Sequence, residues 1–245
     1  MKELFISRLR CMASRQSNAP LRLAGALSTA ERVLSRDIIC RGDSPVTGYP
    51  VILSGWAARC HFLPNGARQI VGLMLPGDIA FLGRRTGVMR SEEIAALTSC
   101  KFAWLKVRET DALFSDSAEC RDLLDACAEL EFSIATSWLL NLGRRDAFER
   151  TAHLICELHY RLSQVALVTN DAFAFPLKQH ELADVLGLTP VHINRKTKQL
   201  KEEGLVEFAS RQIRILDLAG LRHLAGFDAA YLGERLALES RERKR

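Results

Sequence analysis

Proline divides this chain sharply. Pro20, Pro45, Pro50, Pro64 and Pro76 fall in the first third, none follows until Pro176, and Pro190 is the last. Proline lacks an amide donor and clashes inside a helix, so the long gap is where long helices are admitted. The proline-rich part reads as strands and turns. Residues 18–36 read as a short helix after an irregular start, with Ser28 and Glu31 spaced as a capping box. From Ile38 the apolar runs shorten and turn signals separate them. Ile38 to Cys40 precedes Arg41-Gly42-Asp43, and Tyr49 to Leu53 precedes Ser54-Gly55. Ala57 to Leu63 precedes Pro64-Asn65-Gly66, and Gln69 to Leu75 precedes Pro76-Gly77-Asp78. Ile94 to Leu97 and Lys101 to Val107 continue the rhythm. Strands spaced in this way predict an antiparallel barrel or sandwich.

From Ser117 the pattern turns helical. Leu123, Cys127, Leu130, Ile134, Ser137 and Asn141 recur at alternating steps of four and three, and Leu124, Trp138 and Leu142 widen the stripe. A stripe that wide can face its own barrel and a second helix at once. Its sustained length favours a long helix pairing with a second copy of itself over an ordinary core helix, with Leu123, Cys127, Leu130, Ile134 and Trp138 at the dimer interface. Gly143-Arg144-Arg145-Asp146 ends this helix and an amphipathic one follows over Ala147 to Leu162. Val165 to Thr169 and Ala172 to Phe175 then flank Asn170-Asp171, a hairpin signal.

The segment from Leu177 to Phe208 carries the most chemistry. Leu182, Val185 and Leu186 have helical spacing, and Ala183 is small where two helices would cross. Gly187 stands where a tight turn needs positive φ, Thr189 is an N-cap, and Pro190 takes the first helical position. The second helix opens Val191-His192-Ile193-Asn194-Arg195 and carries Lys196, Lys198 and Lys201. Its N-terminus suits phosphate. Arg195 can donate two hydrogen bonds to a guanine edge, Asn194 can pair with adenine or phosphate, and Val191 can meet a thymine methyl. Leu205 to Phe208 and Gln212 to Leu216 read as two strands around Ala209-Ser210-Arg211. That makes a wing with Arg211 and Arg214 near a nucleic-acid backbone. Lys196 and Thr197 depart from the apolar pair expected there, and the stem of Lys196 can cover the core instead.

Composition sets wide bounds. The chain has 245 residues, 48% of them apolar and 26% charged, and a net charge of +5. Such a chain can bury a core, and its mild basicity permits a polyanion partner. No apolar run is long enough for a transmembrane helix, and the first sixteen residues do not read as a secretory signal, so a cytoplasmic protein is expected. Seven cysteines with no C-x-x-C argue against a disulfide framework or zinc knuckle and for small buried residues.

Four stretches together resemble the Crp/Fnr family of bacterial transcription regulators: CRGDSP at 40–45, ILSGWAARCHFLPNGARQIVGLMLPGDI at 52–79, LLNLGRRDAFERTAHLICEL at 139–158, and ELADVLGLTPVHINR at 181–195. The TPVHINR start is similar to a branch common in alphaproteobacteria. The resemblance spans nearly the whole chain and implies an α+β protein. A β-roll sensor of cyclic-nucleotide-binding type with an N-terminal helix would occupy 1–115, and a dimerisation helix 116–144. A winged helix-turn-helix with a helical tail would occupy 145–245. It implies a homodimer on a palindromic promoter site in double-stranded DNA, in contact with RNA polymerase, and no enzyme. By motif position Pro190, Val191 and Arg195 fall where the family reads bases, and Thr189 where a cap meets phosphate. His192, Asn194, Lys198 and Arg211 complete the expected DNA-binding set.

The resemblance also has departures. Members that bind cyclic AMP carry Gly-Glu after the Pro-Gly-Asp turn and Arg-Ser further on. Here Arg90-Ser91 stands near the expected place, as a candidate effector pocket, but Phe81-Leu82 replaces Gly-Glu and the loop is shorter. Leu82 cannot hydrogen-bond a ribose, so control by cyclic AMP is not expected and the small-molecule effector stays unnamed. Cys11 stands alone where iron–sulfur sensors carry clustered cysteines, and His61 is a lone candidate haem ligand. Cys120 and Cys127, near the seam, suit packing better than redox pairing. His153, Cys156, Glu157 and His159 are spaced to present a metal face, but AHLICEL reads as family core, so no cofactor or metal is expected. Leu221 to Leu238 looks helical, and Arg241 to Arg245 reads as a solvated end. Two other readings remain: a scaffold whose winged helix docks a protein partner, and a β-barrel enzyme, for which no catalytic constellation is present.

Overall fold

The computed structural model describes residues 2–41, 47–80 and 92–233. Phe81, Leu82, Arg90, Ser91 and the Arg241–Arg245 run lie outside the described residues. The chain forms two compact units, Met1–Phe132 and Ser133–Leu232.

The first unit is built on two antiparallel sheets. One holds β1 (Glu31–Val33), β7 (Cys100–Lys106) and β3 (Gly48–Ser54), in the order β1-β7-β3. The other holds β2 (Ile38–Arg41), β6 (Glu92–Ala96), β4 (Ala57–Phe62) and β5 (Arg68–Met74), in the order β2-β6-β4-β5. Strand β3 is buried along almost its whole length because both its faces are covered. Ile52 points into a core shared with Ile39, Met74, Ile94 and Phe102 of the other strands. Val51 and Leu53, on alternate positions, join Leu105 in a second core with the helices.

Three helices of this unit were not expected in this form. The start of the chain is α1 (Glu3–Arg10), which buries Phe5 and Leu9. It docks on the Pro76-Gly77-Asp78 turn: Arg8 pairs with Asp78 at 3.1 Å, and a Cβ on Gly77 would come within 2.6 Å of the Leu4 carbonyl. The helix expected over 18–36 is only α2 (Ala19–Gly25). Ser28 caps no helix. Its amide donates to the Trp104 carbonyl and its hydroxyl accepts from the Trp104 amide, each at 2.9 Å, so the chain continues into β1 beside β7. Helical structure begins at α3 (Val107–Asp116), ten residues before the expected start at Ser117.

The long helix is α4 (Ala118–Arg144), 27 residues. It is apolar on more than one side. Cys120, Leu123, Leu124 and Cys127 fill the first unit's helical core, and Trp138 is buried in the second unit. Leu130 and Ile134 are half-buried. Leu123, Cys127 and Trp138 are thus buried within their own chain, as one side of a stripe that can face its own core and a second helix at once. The exposed apolar side chains lie elsewhere on the helix, at Phe132 (75% exposed), Leu139 (72%) and Leu140 (54%).

The second unit continues with α5 (Ala147–Ser163), β8 (Ala172–Ala174), α6 (Gln179–Leu186) and α7 (Pro190–Glu202). After them come β9 (Val206–Ala209), β10 (Gln212–Ile215), α8 (Leu218–Ala225) and a 3-10 turn at Ala229–Leu232. Asp146 starts α5 with a full capping box: its carboxylate accepts from the Phe148 and Glu149 amides, and Glu149 accepts from the Asp146 amide. Asn170 and Asp171 take positive φ as the hairpin signal requires. Only Thr169 and Ala172 bridge there, however, and β8 pairs with β10 rather than with Val165 to Thr169. The sheet order is β8-β10-β9. The helix expected over 221–238 is, within the described residues, α8 and the 3-10 turn. The fold is α+β: antiparallel sheets, a long helix and a winged helix-turn-helix.

Candidate nucleic-acid interface

Helix α6 opens with the Lys178 amide donating to the Glu181 carboxylate at 2.7 Å and ends at Gly187, whose φ is +61°. That left-handed residue lets the Leu188 amide reach back to the Ala183 carbonyl at 3.1 Å, which closes the helix. A side chain at 187 would meet Leu142 and be strained in its backbone as well. Two residues later Thr189 caps α7, its hydroxyl accepting from the His192 amide at 3.3 Å, a bond worth about 1 kcal/mol. Pro190 occupies the first turn, where its missing amide is no loss.

Only Ile193 and Leu200 of α7 are fully buried. This narrow apolar edge turns the rest of the helix outward. Thr189, Pro190, Val191, His192, Asn194, Arg195 and Lys198 are all exposed, Val191 at 69%. Among the described residues the side chains of Asn194 and Arg195 make no hydrogen bond or ion pair with the protein, whereas Lys198 reaches Glu202 at 3.4 Å.

The two positions that departed from the apolar pattern have physical explanations. Lys196 lies half-buried with its ammonium 5.5 Å from the centre of the Phe148 ring and donates to Gln199. The Thr197 hydroxyl donates to the Ile193 carbonyl at 2.9 Å.

The wing is a hairpin in which Ala209 faces Gln212 and Ser210-Arg211 form the whole turn. Both turn residues have positive φ, +46° and +62°. Two non-glycine residues in that region store strain, and here they hold Arg211 exposed at the tip. Between wing and helix runs a groove of about 490 Å3, floored by Phe175, Leu177 and Phe208 and rimmed by Lys198, Lys201 and Arg211. The second unit therefore presents a convex helix, a basic groove and a basic tip. A polyanion with a major groove about 12 Å wide would match the helix.

Comparison with known proteins decides the family. Residues 149–224 match the Crp-like helix-turn-helix domain. The chain is similar to a probable transcriptional activator of Rhizobium leguminosarum bv. viciae. It is 31% identical over 192 residues, 77% of each protein. It is also similar to the nitrogen fixation regulation protein FixK of Azorhizobium caulinodans, 30% identical over 217 residues, 88% of this chain and 86% of that one. The chain belongs to the Crp/Fnr family. Among solved structures, that of FixK2 from Bradyrhizobium japonicum aligns with a TM-score of 0.73 and 25% identity, over 82% of this chain and 98% of that one. This Crp/Fnr protein is a DNA-binding transcription regulator and not an enzyme.

The remaining candidate residues of this regulator are engaged elsewhere. His153 stacks on Tyr231 and meets Phe227 edge-on, and burial followed by the Arg145 charge lowers its imidazole to about 4. Glu157 is fully buried and accepts from Trp138 Nε1, Arg161 Nη1 and the Tyr231 hydroxyl, at 2.9, 3.0 and 2.9 Å. His159 meets Asp171 at 3.0 Å, and burial pushes the Cys156 thiol up to about 12. Among the described residues no three histidine, cysteine or acidic groups stand close enough to hold a metal. All seven cysteines are free, Cys120 and Cys127 both in the core, and burial lifts Cys127 to about 12. His61, on β4, reaches Glu92 at 3.5 Å. No helix among the described residues is long and apolar enough to cross a membrane. Sequence reasoning assigned no role to the side chain of Arg150, which donates to the Leu142 carbonyl near the end of α4, or to that of Arg145, which donates to the Ala225 and Gly226 carbonyls at the end of α8. The Asp146-x-x-Glu149 signal for the start of α5 was available in the sequence and unused.

Proposed function

We propose that this regulator acts in the cytoplasm as a homodimer on a palindromic promoter site and contacts RNA polymerase there. The exposed face of α7 carries the proposal. Arg195 is the principal base reader, aided by Val191, Asn194 and Pro190. Thr189, His192, Lys198 and Arg211 hold phosphates, since phosphate contacts position a protein and base contacts specify the site. The division into a sensor over 1–115, a dimer helix over 116–144 and a DNA-binding part over 145–245 belongs to the same reading. The dimer seam lies on the exposed Phe132, Leu139 and Leu140 face of α4, because Leu123, Cys127 and Trp138 are occupied at home. Phe132 and Leu139 are one heptad apart, the spacing that two paired helices need. Cyclic AMP is not the signal, on the strength of Phe81-Leu82 in place of Gly-Glu. Relatives named as transcriptional activators support activation as the direction of control.

The test is selection of binding sites from random duplex DNA with purified protein at two salt concentrations. The expected result is enrichment of one palindrome, with affinity that falls steeply as salt rises. A population of duplexes with no enriched sequence would favour the winged helix docking a protein partner instead.

A further inference from the structure

Two arginines beside the α4–α5 junction make contacts that reading DNA does not require. Arg150 donates from Nη1 to the Leu186 carbonyl at 2.7 Å, and from Nη2 to the carbonyls of Leu142 and Arg145 at 3.0 and 3.1 Å. Leu142 lies in the last turn of α4, and Leu186 is the last residue of α6. Arg145 donates from Nε to the Ala225 carbonyl at 2.8 Å and from Nη2 to that of Gly226 at 3.1 Å, at the end of α8.

These are the carbonyls that a helix leaves without an amide partner, and they carry the negative end of its dipole. One planar guanidinium therefore joins the ends of α4 and α6, and a second ties in the end of α8. Lysine, a single point of charge on a flexible stem, cannot bridge these acceptors in the same way. Leu186 immediately precedes Gly187, the left-handed residue from which α7 departs. A second contact fixes the same stretch of α4: Trp138, about one turn before Leu142, donates to the buried Glu157 of α5.

We propose that Arg150, supported by Arg145, is the positioning residue that sets the recognition helix relative to the end of α4, and so sets the half-site spacing that the dimer accepts. The inference rests on the dimeric, palindromic reading above. Each added base pair moves one half-site by about 3.4 Å and turns it by about 35°. A rigid joint rejects that displacement, and a loosened joint follows it.

The experiment measures binding of wild type, Arg150→Met, Arg150→Lys and Arg145→Met to three labelled duplexes. These are the palindrome recovered by selection, the same palindrome with one base pair inserted at its centre, and a single half-site. Thermal melting runs alongside. Wild type should prefer the correct spacing by about tenfold or more, the advantage of two linked sites held in register. Arg150→Met should reduce that preference to about threefold or less, with a smaller change on the single half-site. Arg150→Lys and Arg145→Met should fall between, and they carry the comparison where melting shows Arg150→Met unfolded. Variants that are folded and keep the wild-type spacing preference overturn the inference alone. A wild type indifferent to spacing overturns it together with the dimeric reading.

Discussion

Helices α4 and α7 both expose much of their surface, and they do so in opposite ways. Helix α7 buries an edge of Ile193 and Leu200 and turns Asn194, Arg195 and Lys198 to solvent. Helix α4 buries Cys120, Leu123, Leu124 and Cys127 in one core and Trp138 in another, yet leaves Phe132 and Leu139 about three-quarters exposed. An exposed cationic face is matched by a polyanion. An exposed aromatic and two leucines are matched by more apolar surface, which a second copy of the same helix would supply in the proposed dimer. The contrast shows that periodicity locates a helix, while the composition of its uncovered side indicates its partner.

Breaking the α4 side of this contrast should have the largest effect. Phe132→Glu with Leu139→Glu is expected to leave the monomer folded, since neither side chain belongs to its core. The same change should abolish the dimer in sedimentation and weaken binding to the palindrome by about a hundredfold or more, the value of linking two half-sites. A dimer that survives both charges would move the seam elsewhere.

The same distinction between covered and uncovered groups separates two histidines. His192 on α7 is exposed, while His153 on α5 is buried and its pKa is lowered to about 4. Below its usual value of 6.5 the unfolded chain takes up a proton that the folded protein refuses, so stability falls as pH drops from 6.5 towards 4. Denaturant melts of His153→Phe should lack that loss, which amounts to about 3 kcal/mol at the acid end. Parallel stability curves for variant and wild type across this range would remove His153 from the account.

The smallest effect concerns the groove beside α7. Lys201→Ala, at its rim, should weaken binding several-fold and reduce the slope of log affinity against log salt by about one, with no change in sequence preference. An altered preferred base would mean that this lysine reads an edge rather than a phosphate.

What the sequence disclosed follows from how local the chemistry is. The helix-turn-helix was readable because Gly187, Thr189 and Pro190 each act within a few residues of themselves. The wing and most of the strand rhythm were readable for the same reason, through turn residues. The orientation of α4 was not. Its apolar residues form more than one stripe, and spacing alone cannot say whether Leu123 and Cys127 or Phe132 and Leu139 face the chain's own core. Helix α1 and strand β1 were hidden because each is short and is held by distant partners, Asp78 for Arg8 and Trp104 for Ser28. The contacts of Arg145 and Arg150 lie further still from local reading: their carbonyl acceptors include Leu186, 36 residues from Arg150, and Ala225, 80 from Arg145.

The most direct test is the binding of wild type and Arg195→Ala to the selected palindrome and to a scrambled duplex, over a series of salt concentrations. Loss of a bidentate base contact costs about 1–3 kcal/mol per half-site. The account therefore predicts that Arg195→Ala loses about tenfold or more on the palindrome and little on the scrambled duplex, so that the gap between them narrows. Equal losses on both duplexes, with the gap unchanged, would contradict the claim that the exposed face of α7 reads sequence through Arg195.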